Sequence, residues 1–387
     1  MGMPIQNINP ILSEIENGQE KLLKLLISIA SIPSPTGQEQ KKIQFLKEKF
    51  QKYGIKNVTI DSIGNCIIQI PSKSTNKKKK TILAVAHVDT ACNPGEKVSI
   101  TEDEKYIYGH GICDNSAGVT GLLTTIALIK KHHLEFPHNL IFGFTVGEEG
   151  LGAKRGMKQI IKDYGKHIDA VINVESHHIG RVTNQAIGQY RSMLSIKTKT
   201  GGHSFRDFGK PNANVILSQI ISDFSHFKLP QVKGKTTWNV GQIKGEGSVN
   251  AIPIDASCLF EIRSENNGYL QKAKEELESI LANYRKQYAD VDINASTTAE
   301  NPAINFPSDH KIYKLTIKVQ KQLGIAPKFT AGNTDADVSL ANGIPTVSIG
   351  TSEGWNTHSL NEYIEKKSLP LGVRQVFMVI CTFASSF

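Results

Sequence analysis

The chain has 387 residues, a formal net charge of +9, and 39% hydrophobic against 21% charged residues. This length can hold two domains with sizeable cores, and the composition is that of a globular protein rather than a disordered one. The positive charge raises nucleic-acid binding as a function, but the lysines are scattered and no basic stretch is interleaved with aromatic residues. We therefore predict no nucleic-acid partner.

The cysteines and the amino terminus favour a cytoplasmic protein. The cysteines are odd in number and lack a CxxC spacing, which argues against a disulfide framework and a structural zinc knuckle. They are Cys66, Cys92, Cys113, Cys258 and Cys381. The first residues lack the apolar segment of a secretory signal. We also expect no apolar run long enough to span a membrane, so we predict no membrane partner.

Helical periodicity opens the chain. Residues 12–30 are predicted to form one helix, which ends where two prolines follow. Thr36 is in position to cap a second helix that runs to Tyr53. Two short apolar stretches separated by a glycine, Val58–Ile60 and Cys66–Ile70, then predict a β-hairpin.

The next stretch, Thr81–Ala86, is an unbroken apolar run that leads into His87. Such a run is typical of a strand buried on both faces, as in a parallel sheet. Asp89 follows two positions after His87, and side chains at i and i+2 of a strand point the same way. A carboxylate beside a histidine fixes the imidazole tautomer. The pair therefore predicts a metal ligand, His87, oriented by Asp89, although a structural hydrogen bond is the commoner meaning of such a pair.

Three later stretches repeat the pattern of a buried strand followed by an acid or a histidine. They are Asn139–Val146 with Glu148 and Glu149, Ile168–Val174 with Glu175, and Pro345–Ile349 with His358. The adjacent acids Glu148 and Glu149 would repel each other unless a cation or a proton lies between them. Asp114 opens an apolar helix, where a capping role is the simplest local interpretation. Because open α/β sheets bind ligands at the carboxyl ends of their strands, we expect these side chains to form one site.

The region 187–298 has a different pattern and is predicted to be an inserted domain. Its strands alternate apolar and polar residues, as in a sheet with one face covered. Two amphipathic helices lie between the strands, which gives the order β-α-β-β-α-β of a ferredoxin-like α+β domain. We therefore predict an α/β catalytic domain at 1–186 and 299–387, whose mostly parallel sheet is flanked by helices.

Charge and donor type indicate two divalent cations. The carboxylates of Asp114, Glu149 and Glu175 and a bridging hydroxide balance four positive charges if the histidines are neutral. His87 and His358 would then supply the nitrogen donors. Such a nitrogen and oxygen donor set suits Zn²⁺, with Co²⁺ or Mn²⁺ as substitutes.

Glu148 is left over from this set, beside a ligand. We predict that it is the general base for the attacking water and the acid for the leaving amine. A two-metal site activates water and polarises a carbonyl, so the predicted reaction is amide hydrolysis. A serine hydrolase is the weaker alternative, because Gly350–Gly354 fits the Gly-x-Ser-x-Gly pattern after a strand but no amphipathic helix follows at once.

The chain resembles the co-catalytic zinc exopeptidase and aminoacylase family, which includes peptidase T, glutamate carboxypeptidase and succinyl-diaminopimelate desuccinylase. The resemblance covers nearly the whole chain. Its motifs are Ala86–Asp89, Gly111–Asn115, Gly147–Gly150, Val174–Glu175, Gly201–Ser204, Asn333–Ala336, and His358 with Glu362. The resemblance implies that one metal ion is bound by His87 and Glu175. It implies that the other is bound by Glu149 and His358, with Asp114 as the bridge.

The same resemblance implies the remaining roles. Glu148 becomes the catalytic acid and base, and Asp89 orients His87. Family members usually dimerise through the inserted domain, so a homodimer is implied, in which His203 reaches the partner's active site and stabilises the oxyanion. Asn250 and Arg263 are similar to positions that hold the substrate backbone and carboxylate.

Two features leave the substrate open. The lysine that many relatives carry after the bridging acid is absent at Asn115–Ser116. In this family, glutamate at the place of Glu175 is typical of carboxypeptidases and deacylases. The sequence as a whole, however, is more similar to peptidase T. We predict an exopeptidase that cleaves short peptides, with deacylation of N-acyl amino acids as the alternative. A non-catalytic binding protein on the same scaffold is disfavoured, because every ligand position and the base are present.

Overall fold

The computed structural model describes residues 8–75, 78–229, 232 and 234–387. The chain divides into two compact units. The first runs up to Asn184 and resumes at Asn305, and the second is Gln185–Ile304. The segment predicted as an inserted domain, 187–298, lies inside the second unit; its role in dimerisation stays a prediction.

The described residues form ten α-helices and nineteen β-strands, numbered here in chain order. The helices are α1 Asn9–Asn17, α2 Gln19–Ala30, α3 Gln40–Lys52, α4 Gly118–Lys131, α5 Arg155–Tyr164, α6 Ala213–Ser225, α7 Asn267–Gln287, α8 Lys311–Gln322, α9 Ala336–Ala341 and α10 Ser368–Ser386. The strands are β1 Val58–Ile60, β2 Cys66–Ile70, β3 Thr81–His87, β4 Thr101–Glu102, β5 Tyr106–Tyr108, β6 Asn139–Thr145, β7 Ala170–Val174, β8 Arg181–Ala186, β9 Gly188–Thr198, β10 Gly202–His203, β11 Thr236–Gly245, β12 Ala251–Ile252, β13 Asp255–Ser264, β14 Val291–Asn301, β15 Ile304–Asn305, β16 Lys328–Gly332, β17 Thr346–Ile349, β18 Gly354–Trp355 and β19 Tyr363–Glu365.

The first unit is built on a mixed sheet with the order β1-β2-β6-β3-β7-β17-β8-β15, and β16 pairs with β8. The four central strands, from β6 to β17, are parallel, while β1 pairs antiparallel with β2, β2 with β6, and β8 with β17. Alternate residues of β3 enter different cores: Ala84 and Ala86 face one apolar cluster, and Leu83 and Val85 face another. A strand covered on both faces needs an unbroken apolar run, so the predicted fold class is confirmed.

The amino-terminal helices differ from their prediction in two ways. The single helix expected at 12–30 is two helices, α1 and α2, which meet at Gly18. The predicted capping role of Thr36 was wrong, because α3 begins after Glu39 without a side-chain cap. The Thr36 hydroxyl instead donates a 2.8 Å hydrogen bond to the Asp89 carboxylate, 53 residues away in the chain. Sequence-local capping rules cannot anticipate such a partner.

The second unit has the predicted strand and helix order. Its sheet, β11-β13-β9-β14, is antiparallel throughout, which is the ferredoxin-like arrangement. Both helices begin at an asparagine whose side chain accepts a backbone N–H, Asn212 for α6 and Asn266 for α7. The helices and the inward residues of the strands, such as Phe260 and Ile262, form one separate core.

Two helical stretches, Ile112–Lys131 and Ser368–Ser386, are long and apolar enough to cross a membrane by composition. The expectation that no stretch reaches this length was therefore wrong. In the fold, 83% and 78% of their apolar windows are buried, because α4 and α10 pack in the core of the first unit. Burial of this kind is typical of core helices, so length alone is weak evidence for a membrane span.

Lys42 on α3 is only 1% exposed, although it carries an ionisable amine. Burial lowers its pKa to about 8, and the nearby Cys92, Asp89 and Glu362 offset part of that shift. The folded state therefore holds the ammonium less readily than the unfolded chain does. It follows that Lys42 lowers the free energy of unfolding at neutral pH, and that this cost disappears as the pH rises from about 8 past 10.5.

We expect Lys42→Met to stabilise the fold, because methionine keeps the length of the side chain and removes the buried charge. The free energy of unfolding should rise by roughly 3 kcal/mol at pH 7, and the gain should vanish above pH 10.5. Urea unfolding of both proteins across this pH range measures the effect. Lys41→Met, at an exposed position of α3, is the control and should change stability by less than about 0.5 kcal/mol. Equal stability of Lys42→Met and the unmutated protein at pH 7 would contradict this account of Lys42.

Candidate metal centre

Three neighbouring strands bring the predicted ligands to one edge of the sheet. β3 pairs in parallel with both β6 and β7, so the three strands end side by side. His87 is the last residue of β3, the acids Glu148 and Glu149 follow β6, and Glu175 follows β7. The carboxyl edge of a parallel sheet is where such folds bind ligands, because helix N-termini and loops converge there.

Asp114 lies between the two predicted histidine ligands. One of its oxygens, Oδ1, is 3.1 Å from Nε2 of His87, and the other, Oδ2, is 3.4 Å from Nε2 of His358. Nε2 of His358 is also 3.1 Å from Oε1 of Glu149, and Nε2 of His87 is 3.8 Å from Oε2 of Glu175. Two groups of donors therefore form, one on each side of a shared carboxylate.

One subset of these residues has the compactness of a single metal site. Ligand atoms of His87, Asp114 and Glu149 all lie within 4.8 Å of one another. His87, Asp114 and Glu149 are buried, while His358 is exposed over about half of its side chain. A site of this kind is open on the His358 side, which is the requirement for a substrate to reach it.

The tautomer of His87 is set by the main chain. Its Nδ1 lies 3.0 Å from the carbonyl oxygen of Asp89, and a carbonyl can only accept, so Nδ1 carries the proton. In the neutral ring the Nε2 lone pair then faces the acids, as a metal ligand requires. The Asp89 carboxylate is more distant, at 3.6 Å. Asp89 thus orients His87 chiefly through its carbonyl group.

The Asp89 carboxylate instead fixes the loop that carries the paired acids. It accepts backbone N–H groups from Glu148 at 3.0 Å and Glu149 at 2.9 Å, besides the hydroxyl of Thr36. Glu362 does the same for Asp114, because it accepts the backbone N–H groups of Gly111, Cys113 and Asp114 at 2.7–3.0 Å. The turn at Gly111 has a φ of +76°, and a Cβ there would lie 2.3 Å from Thr90, so glycine is needed in this motif.

Asn173 supports Glu175 from within β7. Its side-chain amide lies 3.0 Å from both Oε1 of Glu175 and Oγ1 of Thr334, and 3.1 Å from Oγ of Ser348. Sequence reasoning missed Asn173, although a polar residue inside an apolar strand two positions before a ligand is a usable signal. It also missed Thr36, which has no such local mark.

The electrostatics of the site require added positive charge. Burial raises the pKa of Glu175 to about 7 and that of Glu148 well above its usual range. Hydrogen bonds to Asp114 and Glu149 raise the pKa of His358 to about 11. The raised pKa values mean that these groups bind protons more readily than free side chains do. Divalent ions would supply the same charge and displace those protons, so the donor set fits metal binding.

Glu148 differs from its neighbour in its surroundings. It is half-buried, and within the described part of the chain its carboxylate accepts no hydrogen bond, whereas Glu149 faces His358. Its backbone is nevertheless fixed by Asp89. A held backbone with an unengaged carboxylate is what a group that moves protons needs.

The serine of the Gly350–Gly354 pattern is not arranged as a nucleophile. Ser352 is fully buried, and its hydroxyl donates to the backbone carbonyl of Ser176 at 3.3 Å. Its backbone N–H donates to the same carbonyl. The residue therefore joins two loops of the first unit, and the serine-hydrolase alternative loses its support.

The three predicted substrate residues, His203, Asn250 and Arg263, lie in the second unit. His203 and Asn250 are held together by the pairing of β10 with β12 and by the N–H of Ser204, which donates to the Asn250 carbonyl. Arg263 donates to Glu261 at 2.6 and 3.2 Å. Their roles in substrate binding stay predictions.

Comparison with known proteins agrees with this geometry. Residues 83–381 match the family model of peptidase family M20/M25/M40. The chain is 27% identical to succinyl-diaminopimelate desuccinylase of Rickettsia bellii over 372 residues, which cover 90% of this chain and 92% of that protein. It is 23% identical to peptidase T of Bacillus licheniformis over 420 residues, with 94% of this chain and 99% of that protein covered.

A solved structure with the same fold is the YXEP protein of Bacillus subtilis, described as a dinuclear metal-binding peptidase of the M20 family. The two folds agree with a TM-score of 0.67 over 96% of this chain and 99% of that chain, at 14% sequence identity. At this identity the likeness concerns the fold alone. The family match covers most of the chain, and it includes every predicted metal ligand. The chain therefore belongs to peptidase family M20/M25/M40 and is a metallohydrolase.

Proposed function

We propose that the protein is a dinuclear-metal exopeptidase that cleaves the amide bond of short peptides. The observation that carries this proposal is the position of the Asp114 carboxylate, with one oxygen facing His87 and the other facing His358. A carboxylate shared in this way has the arrangement expected of a bridge between two cations. Zn²⁺ suits the donors best, and Co²⁺ or Mn²⁺ can replace it.

Each residue has a defined part in the proposed reaction. Divalent ions at this site supply the Lewis acidity that activates water and polarises an amide carbonyl. His87 and Glu175 would hold one ion, and Glu149 and His358 the other. Glu148 takes a proton from the attacking water and passes it to the leaving amine, which makes amine departure possible at neutral pH.

We further propose that the protein is a cytoplasmic homodimer and that residues of the second unit bind the substrate. His203 accepts the N–H of Phe205 at Nδ1, so a neutral ring carries its proton on Nε2 and can donate it to an oxyanion. Asn250 would hold the substrate backbone. Arg263 would bind a carboxylate only by sharing its guanidinium with Glu261, which already engages it.

Removal of the metal should abolish activity, and adding metal back should restore it. After treatment with a chelator we expect no measurable hydrolysis of tripeptides, and Zn²⁺, Co²⁺ or Mn²⁺ should each bring activity back, because the proposed site has no other Lewis acid. Metal analysis should give two ions per chain in the active protein. Full activity in the metal-free chain would exclude the proposed mechanism.

Glu148→Gln should separate metal binding from turnover. Glutamine keeps the shape of the side chain but cannot take a proton, so we expect kcat to fall by about 10²–10⁴-fold while two ions remain bound. Glu104→Gln, at an exposed surface position, is the control and should leave kcat unchanged. A nearly normal rate in Glu148→Gln would remove this residue from the mechanism.

The second candidate function is deacylation of N-acyl amino acids, which the glutamate at position 175 favours. A panel of tripeptides with free or blocked termini, run beside N-acetyl and N-succinyl amino acids, separates the two. We expect kcat/KM to be highest for unblocked peptides, because the general motif pattern is that of a peptidase. Preference for the acyl amino acids would favour the deacylase instead.

A further inference from the structure

The segment Thr334–Asp337 lies behind the metal centre and belongs to none of the roles described above. It follows β16 and includes the first residues of α9, and it is almost completely buried, with Asp335 at 0% and Asp337 at 3% exposed. Two acids in four buried residues carry a large desolvation cost, which stable folds offset through specific partners. Three of its contacts reach β6, the loop after β6 and β7, next to proposed metal ligands and the proposed base.

The first partner is at the end of β6. The hydroxyl of Thr145 donates to Oδ2 of Asp335 at 2.5 Å. Thr145 pairs directly with His87 across the parallel ladder, and its carbonyl accepts the N–H of Val88. Asp335 therefore fixes the strand end that lies beside one ligand and three residues before Glu148.

The second partner is Lys154, at the end of the loop that carries Glu148 and Glu149. Lys154 forms an ion pair with Asp337, and both side chains are 3% exposed. Lys154 adopts a left-handed backbone conformation with a φ of 60° just before α5. The ion pair thus ties the far end of the Gly147–Lys154 loop to the segment, while Asp89 fixes its near end through backbone hydrogen bonds.

The third partner is Asn173 of β7, which contacts Glu175 on the other side of the metal centre. Thr334 lies 3.0 Å from the amide nitrogen of Asn173, which in turn lies 3.0 Å from Oε1 of Glu175. The segment is therefore in contact with β6, with the loop after it, and with β7. Glu149 and Glu175, which are proposed to bind different ions, come from two of these elements.

We propose that Thr334–Asp337 is the positioning element of the metal centre, which holds the Glu149 and Glu175 elements at the spacing that two ions need. This rests on the proposed dinuclear function. In this proposal the segment acts on the metal ligands through Thr145, Lys154 and Asn173. Loss of one of these contacts should lower the affinity for the ions while the fold stays stable. Residues that orient metal ligands typically contribute about 10–100-fold to metal affinity.

Thr145→Val tests the proposal with a nearly isosteric change. We expect the affinity for Co²⁺, measured by competition with a chromophoric chelator, to fall about 10–100-fold, and kcat to fall with KM little changed. Thr145→Ser keeps the hydroxyl and should restore both. Thr316→Val is the matched control, because Thr316 is equally buried and its hydroxyl donates only to the Ile312 carbonyl within α8. It should lower the melting temperature without changing Co²⁺ affinity.

A double variant tests the ion pair separately from stability. Lys154→Met with Asp337→Leu replaces two buried charges by apolar side chains, an exchange that often leaves folds as stable or more so. We expect an unchanged or higher melting temperature together with weaker Co²⁺ binding. A merely structural role predicts unchanged Co²⁺ affinity, whichever way the melting temperature moves.

The outcomes separate this inference from the proposed function. If the unmutated protein binds no pair of ions, the dinuclear function itself fails. If it binds two ions and hydrolyses peptides, but Thr145→Val and the double variant bind Co²⁺ as tightly as it does, the positioning role is wrong. A loss of affinity in Thr316→Val equal to that in Thr145→Val would also overturn it.

Discussion

Concentrated negative charge at the carboxyl ends of three parallel strands is the constraint on which the first unit depends. Buried carboxylates are costly unless each finds a donor or a cation. The fold meets this cost in three ways. Backbone N–H groups serve Asp89 and Glu362, a lysine serves Asp337, and imidazoles stand beside Asp114. The negative charge that these contacts do not neutralise is what allows the site to bind cations.

The division between these solutions explains why some acids are suited to bind metal and others are not. Asp89 and Glu362 use their carboxylate oxygens on the amides of residues next to or within the ligand set. Their oxygens are thereby satisfied and point away from coordination. Glu149 is held through its backbone N–H, and Glu175 through one carboxylate oxygen that accepts from Asn173, so an oxygen of each still faces a histidine. Support through the main chain leaves the ligand side chains available.

Sequence patterns predicted what local chemistry determines. The apolar run before His87 predicted a doubly covered strand because each residue of such a strand needs an apolar neighbour. The periodicity of the region 187–298 predicted two amphipathic helices, because each helix needs one apolar face against its sheet. The convergence of His87, Glu149 and Glu175 followed from the geometry of parallel strand ends. These inferences needed no knowledge of distant contacts.

Contacts between distant segments could not be predicted in the same way. Thr36 had the spacing of a helix cap, yet its partner is Asp89. Lys42 lies on an amphipathic helix next to the exposed Lys41, and its residue type gives no sign that it is buried. Polar residues are satisfied by whichever partner the tertiary fold brings near, and that choice has no periodicity.

The Lys154–Asp337 pair illustrates the effect of such contacts when they collect around one site. A buried ion pair contributes little to stability compared with an apolar pair of the same volume, so stability alone gives a weak reason for its presence. The geometry of the pair offers a better reason for its presence. A charged pair is stable in few relative positions, whereas two apolar side chains can shift against each other at little cost. Acids that must share two ions need defined separations more than they need a tighter core. In this chain the costly polar contacts therefore lie where position matters most, behind the ligands rather than among them.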